Sequence, residues 1–185
     1  MKKTPLYFFL ILILAGSVTL SCTSKNQQDQ KSTENIASSN RGQAWVEDED
    51  SKKNILQIAN SSPDHQTLAA AIEAAGIQNV LVNAGPLTVF APNDKAFSNL
   101  PEGTVDNLLK PENKQKLANI LTSHASPASL KKEQLTEDRQ IYLATGQYVN
   151  VEIKDGETYV NGAKVLASIP ASNGVIHVVD KVFLF

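Results

Sequence analysis

Hydrophobic positions divide the chain into three stretches of different character. Leu6 to Ala15 is one unbroken apolar run. Thr23 to Lys53 is rich in Gln, Ser, Asn, Lys and acids, with few apolar residues. From Asn54 onward the apolar residues become periodic. Ile55, Leu56, Ile58 and Ala59 predict a short helix. Leu68, Ala71, Ile72 and Ala75 follow at i, i+3, i+4 and i+7 and predict a second, capped by Asp64 and stopped by Gly76. Val80, Leu81 and Val82 lead to the Gly85-Pro86 break. Leu87-Thr88-Val89-Phe90 predicts a strand, after which Asn93 or Asp94 caps the turn carrying Ala96 and Phe97. Thr104 caps Val105 to Leu109. Pro111 suits the first turn of a longer helix with Leu117, Ile120, Leu121 and His124 on one face.

After Pro127 the period shifts toward two. Ile141 alternates with Leu143, and Gly146 breaks the run. Val149, Val151 and Ile153 alternate with Asn150 and Glu152. Asp155-Gly156 is a two-residue hairpin signal before Thr158-Tyr159-Val160, and Asn161-Gly162 marks another turn. Pro170 interrupts or edges the sheet. Val175 to Leu184 closes the chain as one or two strands. Helices first and strands last predict an α+β domain over residues 54–185, without alternating βαβ units.

With 185 residues and 42% hydrophobic content, the chain supports one or at most two domains. The formal net charge of −2 lacks the basic surface that phosphate neutralisation needs, which excludes a dedicated nucleic-acid binder. A single cysteine, Cys22, excludes an intrachain disulfide and a cysteine-based zinc site.

Residues 1–21 read as an export signal. Lys2 and Lys3 precede an apolar run with the length of a signal core and not of a membrane span, and small residues follow at Gly16, Ser17 and Ser21. The stretch Val18-Thr19-Leu20-Ser21-Cys22 resembles a bacterial lipobox, with Thr19 where leucine is usual and Leu20 one place later. That resemblance implies a lipidated Cys22 at the mature N-terminus, held to a membrane by more than one acyl chain. Residues 22–53 then form the lipidated cysteine and a tether too poor in apolar surface to offset the entropy of ordering. Its root-mean-square reach is about 30 Å. Glu47-Asp48-Glu49-Asp50 lacks the alternating ligands and turn glycine of a calcium loop and reads as a solvated acid run. Trp45 is the large apolar residue of this stretch, either docked on the domain or serving as a contact residue.

Catalytic chemistry finds little support. There is no Gly-x-Ser-x-Gly elbow and no Gly-x-x-x-x-Gly-Lys loop. His65, His124 and His177 show no metal-ligand spacing, and a lipidated Cys22 is unavailable. No catalytic residue, metal or cofactor is expected. His124, on an apolar helix face, and His177, among strand valines, read as hydrogen-bonded packing residues. Asp180 bonds backbone groups or a neighbouring side chain. Asn161, Gly162, Asn173 and Gly174 read as turn chemistry. Asn93 and Asp94 read as caps first, with an interaction role as the alternative.

Leu87 to Phe97, Leu-Thr-Val-Phe-Ala-Pro-Asn-Asp-Lys-Ala-Phe, resembles the first signature of fasciclin domains, and Leu100 to Leu109 continues it. Val160 to Val165 and Ala171 to Val182 resemble the second. The similarity spans about Asn54 to Phe185. It implies helices packed on a wedge of two small β-sheets, and the signature residues read as fold determinants and not as an active site, so a non-enzymatic protein is expected. Many members carry a Tyr-His pair between the signatures, implicated in adhesion in animal relatives. Here the pair is Ser123-His124. A contact built on the tyrosine does not carry over, while His124 joins Asn93 and Asp94 as a candidate interaction residue. The expected protein is exported, lipid-anchored at a bacterial cell envelope, and adhesive. Its partner would be an envelope, matrix or cell-surface protein or a polysaccharide. The alternative is carriage of a small apolar ligand between helix face and sheet, as some fasciclin relatives bind apolar pigments.

Overall fold

The computed structural model describes residues 52–83 and 85–185. The export signal, Cys22 and the tether up to residue 51 lie outside the described residues. Three helices open the domain: α1 (Ile55–Ser61), α2 (Gln66–Ala75) and α3 (Gln78–Asn83). Asn54 starts α1 through a reciprocal capping box with Gln57. Strand β1 (Leu87–Pro92) follows, then α4 (Asp94–Ser98), whose Ala96 N–H donates to the Asn93 side chain at 2.9 Å. Helix α5 (Thr104–Leu108) begins from Gly103, so Thr104 is its first residue and not its cap. Pro111 sits in a separate 3₁₀ turn, Pro111–Asn113, that runs into α6 (Lys114–Thr122). The strands are β2 (Ala125–Ser126), β3 (Gln140–Tyr142), β4 (Tyr148–Lys154), β5 (Glu157–Val160), β6 (Ala163–Ala171) and β7 (Gly174–Val179).

Both expected hairpin turns form. Asp155-Gly156 joins β4 to β5 and Asn161-Gly162 joins β5 to β6, with all four residues at positive φ. That conformation matches the twist of paired strands, which is why Asn or Asp followed by Gly is favoured there. The closing stretch gives one strand, β7, ending at Val179. Strand order is β2-β1-β7-β6-β5-β4-β3. Every pairing is antiparallel except β1 with β7, which runs parallel from Leu87↔Gly174 to Pro92↔Val179.

The two small sheets expected from the fasciclin resemblance are here one continuous seven-stranded ladder. The reason is β6. Ala163 and Lys164 pair with β5, whereas Val165 and Ala167 to Ala171 pair with β7, with a register shift between Val165 and Ala167. One strand therefore bends through both halves. Pro170 lies where β6 has β7 on one side alone, an edge position that tolerates a missing N–H. At the far ends the Ala144 N–H donates to the Ala125 carbonyl at 2.8 Å, so the ladder nearly closes on itself.

The residues of β1 are all buried because the strand has a core on each face. Leu87, Val89 and Ala91 join Leu56, Leu68, Ile72, Leu117 and Leu121 beneath the helices. Phe90 points the other way, into a core of Ile141, Leu143, Val149, Val151, Val160, Val179 and Phe183. The inward alternation of β4 stops at Val151, and Ile153 lies outside the core at 43% exposure.

Candidate functional site

Asn93 or Asp94 was expected to cap the turn carrying Ala96 and Phe97, and Asn93 does so; Asp94 was the alternative cap there, and Asp64 was expected to cap α2. The structure gives the two aspartates different roles. Asp94 reaches α2, accepting the Thr67 N–H at 2.8 Å and the Gln66 N–H at 3.3 Å. Asp64 instead contributes its carbonyl, which accepts the Asp94 N–H at 2.8 Å. Burial alone would raise the Asp94 carboxyl. Its hydrogen bonds from Thr67 and Gln66, with His65 nearby, outweigh burial and hold it below the usual carboxylate range. Asn93 caps α4 beside it.

His124 is buried immediately after α6. Its Nδ1–H donates to the Ile120 carbonyl at 2.8 Å, and its Nε2 accepts the Phe183 N–H at 2.8 Å. The ring stacks on Phe183, with centroids 4.6 Å apart. Burial pushes this imidazole down to about 4, against a smaller opposing effect of the Ile120 carbonyl. It is held neutral with both nitrogens engaged. Ser123 turns its hydroxyl back to the Ile120 carbonyl, and beside it opens a hollow of about 480 Å³ floored by Phe183 and Phe185.

His177 is fully buried and stacks on Phe90. Its Nε2–H donates to the Leu130 carbonyl and its Nδ1 accepts from the Ser168 hydroxyl, both at 2.8 Å. Burial lowers its pKa too. Thr88, buried in β1, donates to the Ala128 carbonyl at 2.6 Å and accepts the Leu130 N–H at 2.8 Å. Thr88 and His177 together pin the loop at 128–130 against the sheet. Both are polar residues in apolar strands, which is the sequence signal that a buried partner is needed. His65 has one nitrogen on the Ser62 hydroxyl at 2.7 Å, while its buried Nε2 has no partner among the described residues. It borders a cavity of about 20 Å³ lined by Ile58, Ala91 and Ile176, roughly the size for one water.

The pinned loop forms one wall of the larger groove, about 780 Å³, in the size range of ligand sites. The opposite wall is the β6–β7 hairpin. Pro86, Pro170, Ala171 and Val175 supply apolar surface, and Lys131 and Lys132 stand on the lining. Asn173 makes this hairpin rigid. Its Oδ1 accepts the Ile55 N–H at 3.0 Å, its Nδ2 donates to the Leu81 carbonyl at 2.8 Å, and its backbone carbonyl accepts the Leu87 N–H at 3.1 Å. One turn residue thus joins α1, α3 and β1. Its contacts are far away in sequence, so no local spacing announced them.

A different exposed surface lies on the β3–β4 edge. Tyr142 and Tyr148 are opposite each other in register, 47% and 62% exposed, with rings 5.1 Å apart. Neither was singled out by pattern alone. Asn93, Asp94 and His124 do not converge on either surface: two are helix caps and the third is in the core. Cys22 lies outside the described residues. Among those residues no group of three or more His, Cys, Asp or Glu is placed to hold a metal ion.

The Fasciclin domain family model matches residues 63–185. The chain belongs to the fasciclin domain family. The chain is 45% identical over 136 residues to Protein sll1483 of Synechocystis sp., covering 73% of this chain and 75% of that protein. It is 28% identical to Immunogenic protein MPB70 of Mycobacterium bovis, across 70% of this chain and 68% of the relative. With the transforming growth factor-beta-induced protein ig-h3 of Sus scrofa it shares 26% identity, over 71% of this chain but 19% of that much longer protein. The fold is similar to that within a FAS1 domain pair from the insect cell adhesion molecule Fasciclin I, at a TM-score of 0.63 and 19% identity. That match covers 72% of this chain and 51% of the other. Helix α1 precedes the matched region, yet Ile55, Leu56 and Ala59 are buried in the domain.

Proposed function

We propose that this fasciclin domain is a non-enzymatic adhesion module, exported and held at a bacterial envelope through a lipid on Cys22. The observation that carries the reading is the exposed Tyr142–Tyr148 pair on the sheet edge. Paired tyrosines, here tilted at 55° to each other, offer apolar area and hydroxyls at little entropic cost, which is why tyrosine is enriched at interfaces. Asn93 and Asp94 of the first signature serve the fold as caps, and His124, between the signatures, serves it as a core bond. The partner is an envelope, matrix or cell-surface protein or polysaccharide, and many anchored copies multiply a weak single contact. The test compares surface attachment and cell aggregation of a deletion strain rescued by the wild type, by Cys22→Ala, or by Tyr142→Ala/Tyr148→Ala. Only the wild type should restore attachment fully. Unchanged attachment in the deletion strain overturns the adhesive reading, and full rescue by Cys22→Ala overturns the anchor.

The groove of about 780 Å³ favours a second reading, carriage of a small apolar ligand. Native mass spectrometry of protein from its own host should then show added mass. Bare polypeptide from several growth conditions would count against it.

A further inference from the structure

The groove between the 128–134 segment and the β6–β7 hairpin combines apolar walls with cationic side chains. Lys131 and Lys132 are exposed, and neither forms an ion pair among the described residues. Glu133 is the acid on the same lining. Lys52 and Lys53 lie where the chain joins the domain, so positive charge dominates locally on a chain of formal charge −2. The chain arrives at this same place. The Ser172 N–H, on the groove lining, donates to the Lys53 carbonyl at 3.0 Å. A short distance upstream runs Trp45-Val46-Glu47-Asp48-Glu49-Asp50, which pairs two apolar residues with four acids. From Trp45 to Lys53 an extended chain spans up to about 26 Å, enough to turn back over the hairpin.

We propose that this groove is the docking site of the chain's own Trp45–Asp50 segment. The indole lies against Pro86, Pro170 and Val175, and the acid run faces Lys131 and Lys132. The assignment rests on where the chain meets the domain and on opposite charge, and is independent of the adhesive reading. It makes the groove self-occupied, so an apolar ligand from outside has to displace the indole. Aromatic insertion supplies contact area, while the charges set register and salt dependence.

Trp45 is the chain's single tryptophan, so its fluorescence reports the docking directly. In the full chain, held in non-ionic detergent, emission should be blue-shifted from that of free tryptophan and poorly quenched by iodide. Lys131→Glu/Lys132→Glu should move the emission to the red and raise iodide quenching several-fold, with the circular dichroism unchanged. High salt should act in the same direction on the wild type. Should the double variant fail to fold, the wild-type quenching and its salt response decide alone. A solvent-exposed Trp45 in the wild type overturns the proposal. So does shielding that ignores both charge reversal and salt. Shielding that disappears on dilution assigns the segment to a second copy and overturns the intramolecular contact as well.

Discussion

The carboxylate of Asp94 meets the Gln66 and Thr67 N–H groups at the start of α2, where unpaired donors and the helix dipole both favour negative charge. Removing it leaves two donors without that acceptor, because His65 makes no side-chain cap. Asp94→Ala is expected to cost about 1 kcal/mol, measured by urea unfolding. Asp94→Asn, which keeps an acceptor oxygen, should recover part of that loss. A wild-type midpoint for the alanine variant would show that the bond contributes nothing. Caps within three residues of their target, such as Asn54 and Asn93, follow from residue type and local spacing. Asp94 and Asn173 act across 27 and 118 residues, and single-chain periodicity carries no trace of such a distance. The same holds for Thr88 and His177. Their polarity within apolar strands flags a buried partner, but not that the partner is the loop at 128–130.

Among the elements, the β4–β5–β6 meander follows directly from alternation and from two Asn/Asp-Gly turns. The β1–β7 pairing does not, because nothing local distinguishes a parallel neighbour from an antiparallel one. Its first rung places Gly174 against Leu87 at φ 157°. A Cβ there would lie 1.8 Å from the Leu87 carbonyl oxygen, a backbone atom that cannot swing aside. Gly174→Ala should therefore cost about 3 kcal/mol or more. Thermal unfolding reads this as a large drop in Tm, and a wild-type Tm would refute the close approach. The bend of β6 was equally hidden. A nine-residue strand with Pro170 near its end reads as interrupted, although it runs on as an edge beyond its β5 pairing.

For the molecule as a whole, the three histidines set an acid limit. All are buried, and burial lowers the pKa of each. His124 titrates near 6.5 when unfolded and near 4 when folded. Between those values the unfolded chain takes up a proton that the folded chain refuses. The stability linked to neutral His124 is therefore complete above pH 6.5 and is lost as the pH falls toward 4. The loss is on the order of 3 kcal/mol for this group. His65 and His177 act in the same direction, and Asp94, held low, adds its own loss at still lower pH. The urea midpoint should fall steadily from pH 7.5 to 4.5. His124→Leu should start lower, having lost the Nε2 that accepts the Phe183 N–H, and fall less steeply. A flat wild-type profile would refute neutral burial.

The parallel rung between β1 and β7 also fixes an order of events. Residues 87–92 form the second strand of the ladder, flanked by the two-residue β2, and their long partner is residues 174–179. Closing a loop of that length before any contact rewards it is slow. Until the last of these strands has left the ribosome, β1 lacks its longest neighbour. Its two apolar faces then have only a partial cover. The meander from β4 to β6 forms from local contacts while it waits. Completion of the domain is therefore a late, single step set by arrival of the final strand, and a chain interrupted before that point stays open.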